Sequence, residues 1–296
     1  MPTHAYLLGA ITLLAATVNG ALGYGFSSIT VPLALLFLSN RALNPALVVI
    51  EVPLNAYVLW VNRAAVPDVW RRMFPIVIGL IPGVVAGTLL VSSVSPDRLK
   101  LYTYMVLLPL ILLQAAGLRR PIRSERSIGV PFGAGVGLLY SVTTISGPPL
   151  AIMLNNQGLA KRDFRAALGF VRLAESSMTA VAYLYSGFFV RPSLALIPWI
   201  LPSVLLGVPI GAQLIQRVRP ETFRRVCMSF DAWVVAFGLS KLLNDMRVVE
   251  GPRAYLVLAA TAALDSWLLY RFFATAVPVL PRGEPAAAEA NLTSSG

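Results

Sequence analysis

Eight residues near the middle of the chain, Thr143-Thr144-Ile145-Ser146-Gly147-Pro148-Pro149-Leu150, set hydroxyls, a glycine and two prolines inside an otherwise apolar stretch. Proline suits the first turn of a helix, where its missing N–H is no loss, and Ser146 stands where a cap would. A half-helix starting here aims its free N–H groups at whatever occupies the break, which makes an anion site from backbone alone. The alternative is a kinked helix whose Ser and Thr hydroxyls bond back to its own carbonyls. Gly23-Tyr24-Gly25-Phe26-Ser27-Ser28, followed by Thr30 and Pro32, offers a second set of hydroxyls to face the first. Asn19 and Asn155 add amides at membrane depth. The substrate-binding candidates are Asn19, Tyr24, Ser27, Ser28, Thr30, Thr143, Thr144, Ser146, Gly147, Asn155 and Arg172. Two facing half-helix N-termini suit a small oxyanion such as a sulfonate, sulfite or carboxylate.

Charge inside apolar segments is scarce, and each instance is a candidate for function. Glu51 lies in Val49-Ile50-Glu51-Val52-Pro53, with Asn55 one turn on. Arg172 and Glu175 are three apart and can pair on one helix face, or Arg172 can touch the substrate anion. Asp231 lies in another apolar run. Glu51, Glu175 and Asp231 are the proton-coupling candidates. Glu51 leads because no basic residue stands beside it in sequence; a hydrogen bond to a broken backbone is its structural alternative.

Composition says where such residues must sit. The chain has 296 residues, of which 57% are apolar and 12% charged, with a mean hydropathy of +0.73. Soluble globules carry about 25% charged residues, so the lipid bilayer is the expected solvent. The net charge of +11 is spread over loops, not gathered into the basic stripe that nucleic-acid binding needs. One cysteine, Cys227, and one histidine, His4, exclude an internal disulfide and leave no metal cluster. No nucleotide-binding glycine pattern occurs, so no cofactor is expected. A membrane enzyme would gather His, acids or Lys near one face; here the acids are scattered, and catalysis is not expected. An anion channel, a membrane-embedded enzyme and an assembly factor are the competing classes.

The positioning elements are apolar segments at about 5–38, 43–62, 73–92, 99–118, 128–157, 166–188, 194–216, 222–243 and 254–271. A crossing takes about 20 residues. The first and fifth are longer and carry Gly and Pro in the middle, which predicts two short helices meeting inside the membrane. A duplication underlies the series. Gly83, Gly87, Pro96 and Asp97 recur as Gly207, Gly211, Pro220 and Glu221, 124 positions on. If every segment crosses once, Lys plus Arg divides between the two sides 10 against 11. If the first and fifth return to their starting side, it divides 7 against 14, which obeys the positive-inside rule. The loops near Arg71, Arg120, Arg162 and Arg224 are then cytoplasmic, and the two repeats are inverted, a common basis for alternating access. The expected architecture is all-α and polytopic: two inverted repeats, each a broken or re-entrant helix pair plus three crossings. The first repeat takes residues 1–120 and the second 127–245. An extra membrane or interfacial segment takes 252–282, and a disordered tail 283–296. The glycine rows Gly79/Gly83/Gly87 and Gly207/Gly211 read as packing seams. Trp60, Trp70, Trp199 and Trp267 read as interface anchors.

This arrangement resembles the TauE/SafE family of sulfite exporter-like permeases, over roughly residues 8–243. The resemblance is carried by the Gly-rich run into Val31-Pro32-Leu33 and by Ser146-Gly147-Pro148-Pro149-Leu150 followed by Lys161 and Arg165-Ala166. The duplicated Gly83/Gly87 and Gly207/Gly211 helices complete it. It implies a multi-pass permease that moves sulfite, sulfoacetate and other organosulfonates by means of the proton gradient. The family often shows consecutive glycines where this chain has Gly23-Tyr24-Gly25 and Leu138-Leu139-Tyr140; bulky side chains there would reshape the cavity. The function expected is a secondary transporter, proton-coupled, of small sulfur-containing or organic anions, in the cell inner membrane. Its partners are a small anionic substrate, protons and lipid, with homo-oligomerisation left open.

Overall fold

A computed structural model describes residues 2–116, 125–157, 159, 161–218 and 220–275. All regular structure among them is helical, as backbone in hydrocarbon requires. The elements are α1 (Pro2–Leu22), α2 (Phe26–Ala34), α3 (Asn40–Val61), α4 (Val66–Ser93), α5 (Pro96–Ala115), α6 (Glu125–Thr143), α7 (Gly147–Asn156) and α8 (Lys161–Tyr185). They continue with the short α9 (Arg191–Leu194), then α10 (Ile197–Leu214), α11 (Pro220–Asp245) and α12 (Leu256–Thr275). The tail 283–296, the loop residues 117–124 and the side chain of Asn155 lie outside the described residues.

Among the described residues, seven helices are long and apolar enough to cross a membrane: α1, α3, α4, α5, α10, α11 and α12. The chain is a multi-pass membrane protein. Helix α8 has the length, 25 residues, but carries Arg165, Arg172 and Glu175 among its apolar positions. The first and fifth segments are broken, at Gly23–Gly25 and Thr144–Ser146. The arms are unequal, against the expectation of two short helices: α1 has 21 residues and α2 only 9, α6 has 19 and α7 only 10. Nine or ten residues rise about 14–15 Å, half a bilayer.

The freed peptide groups at the breaks are answered by protein. At the second break Asn44 donates to the Val142 carbonyl at 2.7 Å and Tyr183 donates to the Ser141 carbonyl; near the far end of α2, Tyr104 donates to the Pro32 carbonyl at 2.9 Å. Arg41 caps the end of α4, bonding the carbonyls of Val91, Ser92 and Val94 at 2.9–3.0 Å, where a cation also suits the helix dipole.

The long helices pack in pairs. Helix α4 lies along α6, α1 along α10, α3 along α8 and α5 along α11. The glycine rows are the reason for the two closest seams. A Cβ on Gly79 or Gly83 would stand 2.1 Å from the carbonyl oxygen of Val130 or Ala134, and one on Gly211 would meet the Thr17 carbonyl at 1.8 Å. Gly83→Ala is therefore expected to lower stability by about 1–3 kcal/mol through overpacking. Gly135, with nothing within 4 Å of its added Cβ, serves as the contrast: Gly135→Ala is neutral or stabilising by up to about 1 kcal/mol. Thermal unfolding of the two variants in detergent checks both.

Helix α12 packs on α11. Buried Asp265 accepts from Arg225 at 2.8 Å, from Ser229 at 3.2 Å and from the Trp233 indole at 3.1 Å. That network explains an acid in the middle of the last apolar run. Trp60, Trp70 and Trp267 are exposed, each under the guanidinium of a neighbouring Arg (Arg63, Arg71, Arg271) at 4.9–5.5 Å from the ring, as suits side chains at a headgroup boundary.

Candidate functional site

Each break is built by residues with left-handed backbone. Gly23 and Gly25 have φ of 83° and 108°, open to glycine at no steric cost. The second break uses Thr144 at φ 57°, a conformation unfavourable for a β-branched residue. Local hydroxyls hold it there. Thr144 donates to the Thr143 carbonyl at 2.7 Å; Thr143 accepts the Ile145 N–H at 3.0 Å and donates to the Leu139 carbonyl at 2.7 Å.

The two short helices then differ at their N-termini. The Ser146 carbonyl accepts from Leu150 N–H at 3.1 Å, so Ser146 takes the cap position, but its hydroxyl turns to Glu175 instead of the helix. Pro148 and Pro149 have no N–H, leaving Gly147 the only donor residue in the first turn of α7. Helix α2 begins Phe26-Ser27-Ser28 and keeps three. The breaks touch: a Cβ on Gly147 would meet the Tyr24 ring at 3.5 Å.

A narrow pocket, with a cavity volume of about 20 Å³, opens at this junction. Tyr24, Gly25 and Ser28 of the first break line it with Pro148 of the second, Gln114 of α5, and Arg224, Cys227 and Asp231 of α11. Asp231 lines the pocket beside Ser28, whose hydroxyl donates to the Gly25 carbonyl at 3.1 Å, and Arg224 lines it with Tyr24. Arg224 also pairs with Glu221 at 2.7 Å. The pocket thus offers a cation, hydroxyls, an amide and an acid against apolar walls.

Behind the breaks lies a closed polar cluster. The Glu51 carboxylate is fully buried. It accepts from the Ser27 hydroxyl, from Tyr140 at 2.6 Å and from the Arg172 guanidinium at 3.2 Å. Glu175, also fully buried, accepts from Ser146, and its other carboxylate oxygen has no partner. Asn55 ties α3 to α8 through the Arg172 carbonyl and the Ser176 hydroxyl, both at 3.3 Å. This corrects two sequence-based expectations. Arg172 pairs not with Glu175, its neighbour on α8, but across to Glu51 on α3, where two hydroxyls already hold the carboxylate. Glu51, without a basic neighbour in sequence, has one in space.

The structure therefore brings Tyr24, Ser28 and Asp231 to the pocket, and Ser27, Glu51, Ser146, Arg172 and Glu175 to the cluster. Gly147 stands between them, and Thr143 and Thr144 shape the break. Asn19 and Thr30 are buried, each with a side-chain oxygen unpartnered. Sequence reasoning missed Gln114, Arg224, Cys227 and Tyr140. It also passed over one available signal: Glu175 follows Glu51 by 124 residues, the offset of the glycine rows. Each glutamate accepts from a serine at a break, but Ser27 and Ser146 stand 24 and 29 residues ahead of their glutamates, so the serines do not keep the 124-residue offset.

A family model described as Sulfite exporter TauE/SafE matches residues 8–237. A protein of Cupriavidus necator, "Probable sulfite/organosulfonate exporter TauE", is 25% identical over 178 residues, 59% of this chain and 68% of its own length. No solved structure matches significantly. With the model covering most of the chain, from α1 into α11, this protein belongs to the sulfite exporter TauE/SafE family.

Proposed function

We propose that the chain is a proton-coupled secondary transporter of small sulfur-containing anions, sulfite or short organosulfonates, in the cell inner membrane. The relative's printed role as a sulfite/organosulfonate exporter supports the substrate class. The observation that carries the coupling is an adjacency at both breaks. On α2, Ser28 lines the pocket while Ser27 bonds Glu51; at α7, Pro148 lines the pocket while Ser146 bonds Glu175. An anion held at the breaks and a change of charge on either carboxylate then act on the same short helices. Like charges disfavour one another, so an arriving anion favours a proton on the nearby carboxylate, and the two travel together.

Arg224 and the N-terminus of α2 form the anion end of the site, with Tyr24, Gln114 and Ser28 orienting the sulfonate oxygens. The inverted-repeat reading finds support in the reciprocal pairing of α4 with α6 and α1 with α10, and it supplies alternating access by rocking of the halves. With the positive loops inside, the pocket faces the cytoplasm. The purified protein in proteoliposomes should take up sulfoacetate and sulfite saturably, with short carboxylates competing weakly. Loss of a hydrogen bond to a charged group is worth about 1.5–3 kcal/mol, so Arg224→Gln is expected to raise the half-saturation concentration at least about tenfold. Flux of none of these anions through verified folded protein would remove the reading; linear, non-saturating flux would favour a channel.

A further inference from the structure

Glu51 and Glu175 hold matching places in the two halves, yet among the described residues a single cation, Arg172, is paired in their cluster. The residue that corresponds to Arg172 in the first half is Val48, buried and apolar. The distribution of donors is uneven as a result. Glu51 receives three; Glu175 receives one and keeps an oxygen without a partner. Arg172 has capacity to spare, because its Nε is buried with no acceptor. Glu175 is three residues along the same helix, within reach of the guanidinium by side-chain rotation alone. The charged groups that face one another here are Glu51 of α3 and Arg172 and Glu175 of α8, with Tyr140 of α6 the remaining titratable group.

We propose that Arg172 is a shared counter-ion that passes between Glu51 and Glu175 as the transporter changes sides, so that one carboxylate at a time is released to carry the proton. This deepens the proton-coupled reading above and rests on it. A buried carboxylate without a counter-ion is costly, so whichever glutamate lacks Arg172 takes a proton from the aqueous phase on its side. In the present state Arg172 sits on Glu51, Glu175 is the free group, and the pocket is open. In the opposite state Arg172 sits on Glu175, Glu51 is free, and the pocket is closed. Arg172 is thus a positioning residue: it decides which state the helices adopt without touching substrate.

Cys227 gives a direct readout, since it is the single cysteine of the chain and lines the pocket. The rate of N-ethylmaleimide labelling is measured on full-length protein in liposomes. Glu175→Gln removes the alternative partner, holds Arg172 on Glu51 and should speed labelling. Glu51→Gln removes the present partner and should slow it, each by up to about tenfold for one charged hydrogen bond redistributed. Glu51→Asp and Glu175→Asp keep the charge and shorten its reach, and should give the same signs with smaller changes even where a Gln variant fails to fold. Shifts in the same direction for both positions, or rates equal to wild type throughout, overturn the shared counter-ion. Sulfoacetate uptake by wild type in the same liposomes separates the two claims. Uptake without opposite shifts removes the counter-ion alone; absence of uptake removes the transport reading beneath it.

Discussion

Replacing Arg172 with Met is expected to lower stability by about 3–5 kcal/mol and to abolish sulfoacetate uptake. The guanidinium is almost wholly buried and is the ion-pair partner of Glu51, whose carboxylate is also fully enclosed. Methionine fills similar volume but leaves two glutamates facing one another with hydroxyls alone. Removing one partner of a buried pair is far worse than removing both, because the remaining charge keeps its desolvation penalty. Arg172→Met/Glu51→Gln should therefore regain a large part of the loss, a coupling that a double-mutant cycle measures. Chemical or thermal unfolding in detergent supplies the values. A single variant within about 1 kcal/mol of wild type would mean that the cluster is not electrostatically closed.

The second large effect is on coupling. Glu175→Gln is expected to retain exchange of labelled against unlabelled sulfoacetate while losing gradient-driven accumulation at least about tenfold, because Gln keeps shape and hydrogen bonding but not titration. Glu51→Gln should lose both, since it removes the anchor of Arg172 as well as a titrating group. Glu175 is favoured over Glu51 as the group free in this state because it has one donor where Glu51 has three. Driven accumulation and exchange measured side by side separate the two roles. Accumulation that survives Glu175→Gln intact would move the proton to another carboxylate, with Asp231, on the pocket wall, next in line.

The all-helical, polytopic fold was legible because hydrocarbon permits little else, and the breaks were legible because Gly and Pro mark them. The Gly79/Gly83/Gly87 row announced a seam, and the seam is there, with backbone at van der Waals limits. Partners across the bundle were harder. Arg172 and Glu175 three apart on one helix suggest a local pair, but the choice between Glu175 and Glu51 depends on where α3 lies and on two extra hydroxyls from α2 and α6. Tyr140 looked like an intruder in a glycine stretch; in space its hydroxyl is a donor to Glu51. The place of Ser146 before Gly147 marks it as a cap, and its backbone does take that place, but the stronger acceptor, a buried carboxylate, takes the hydroxyl. The pocket was invisible for a related reason: Gln114 and Arg224 sit at helix ends, where polar residues ordinarily meet water, and only the packing of α5 and α11 against the breaks turns them inward.

The central claim is that anion and proton move together through the junction of the broken helices. Luminal pH in proteoliposomes loaded with a trapped pH dye tests it most directly, with sulfoacetate as the probe because its acid groups are ionised at neutral pH and carry no proton of their own. Adding sulfoacetate outside wild-type vesicles should acidify the lumen saturably, at a rate that follows its uptake, with no response in protein-free vesicles or with Glu175→Gln. Sulfoacetate uptake without any luminal pH change, at clamped membrane potential, would contradict the account.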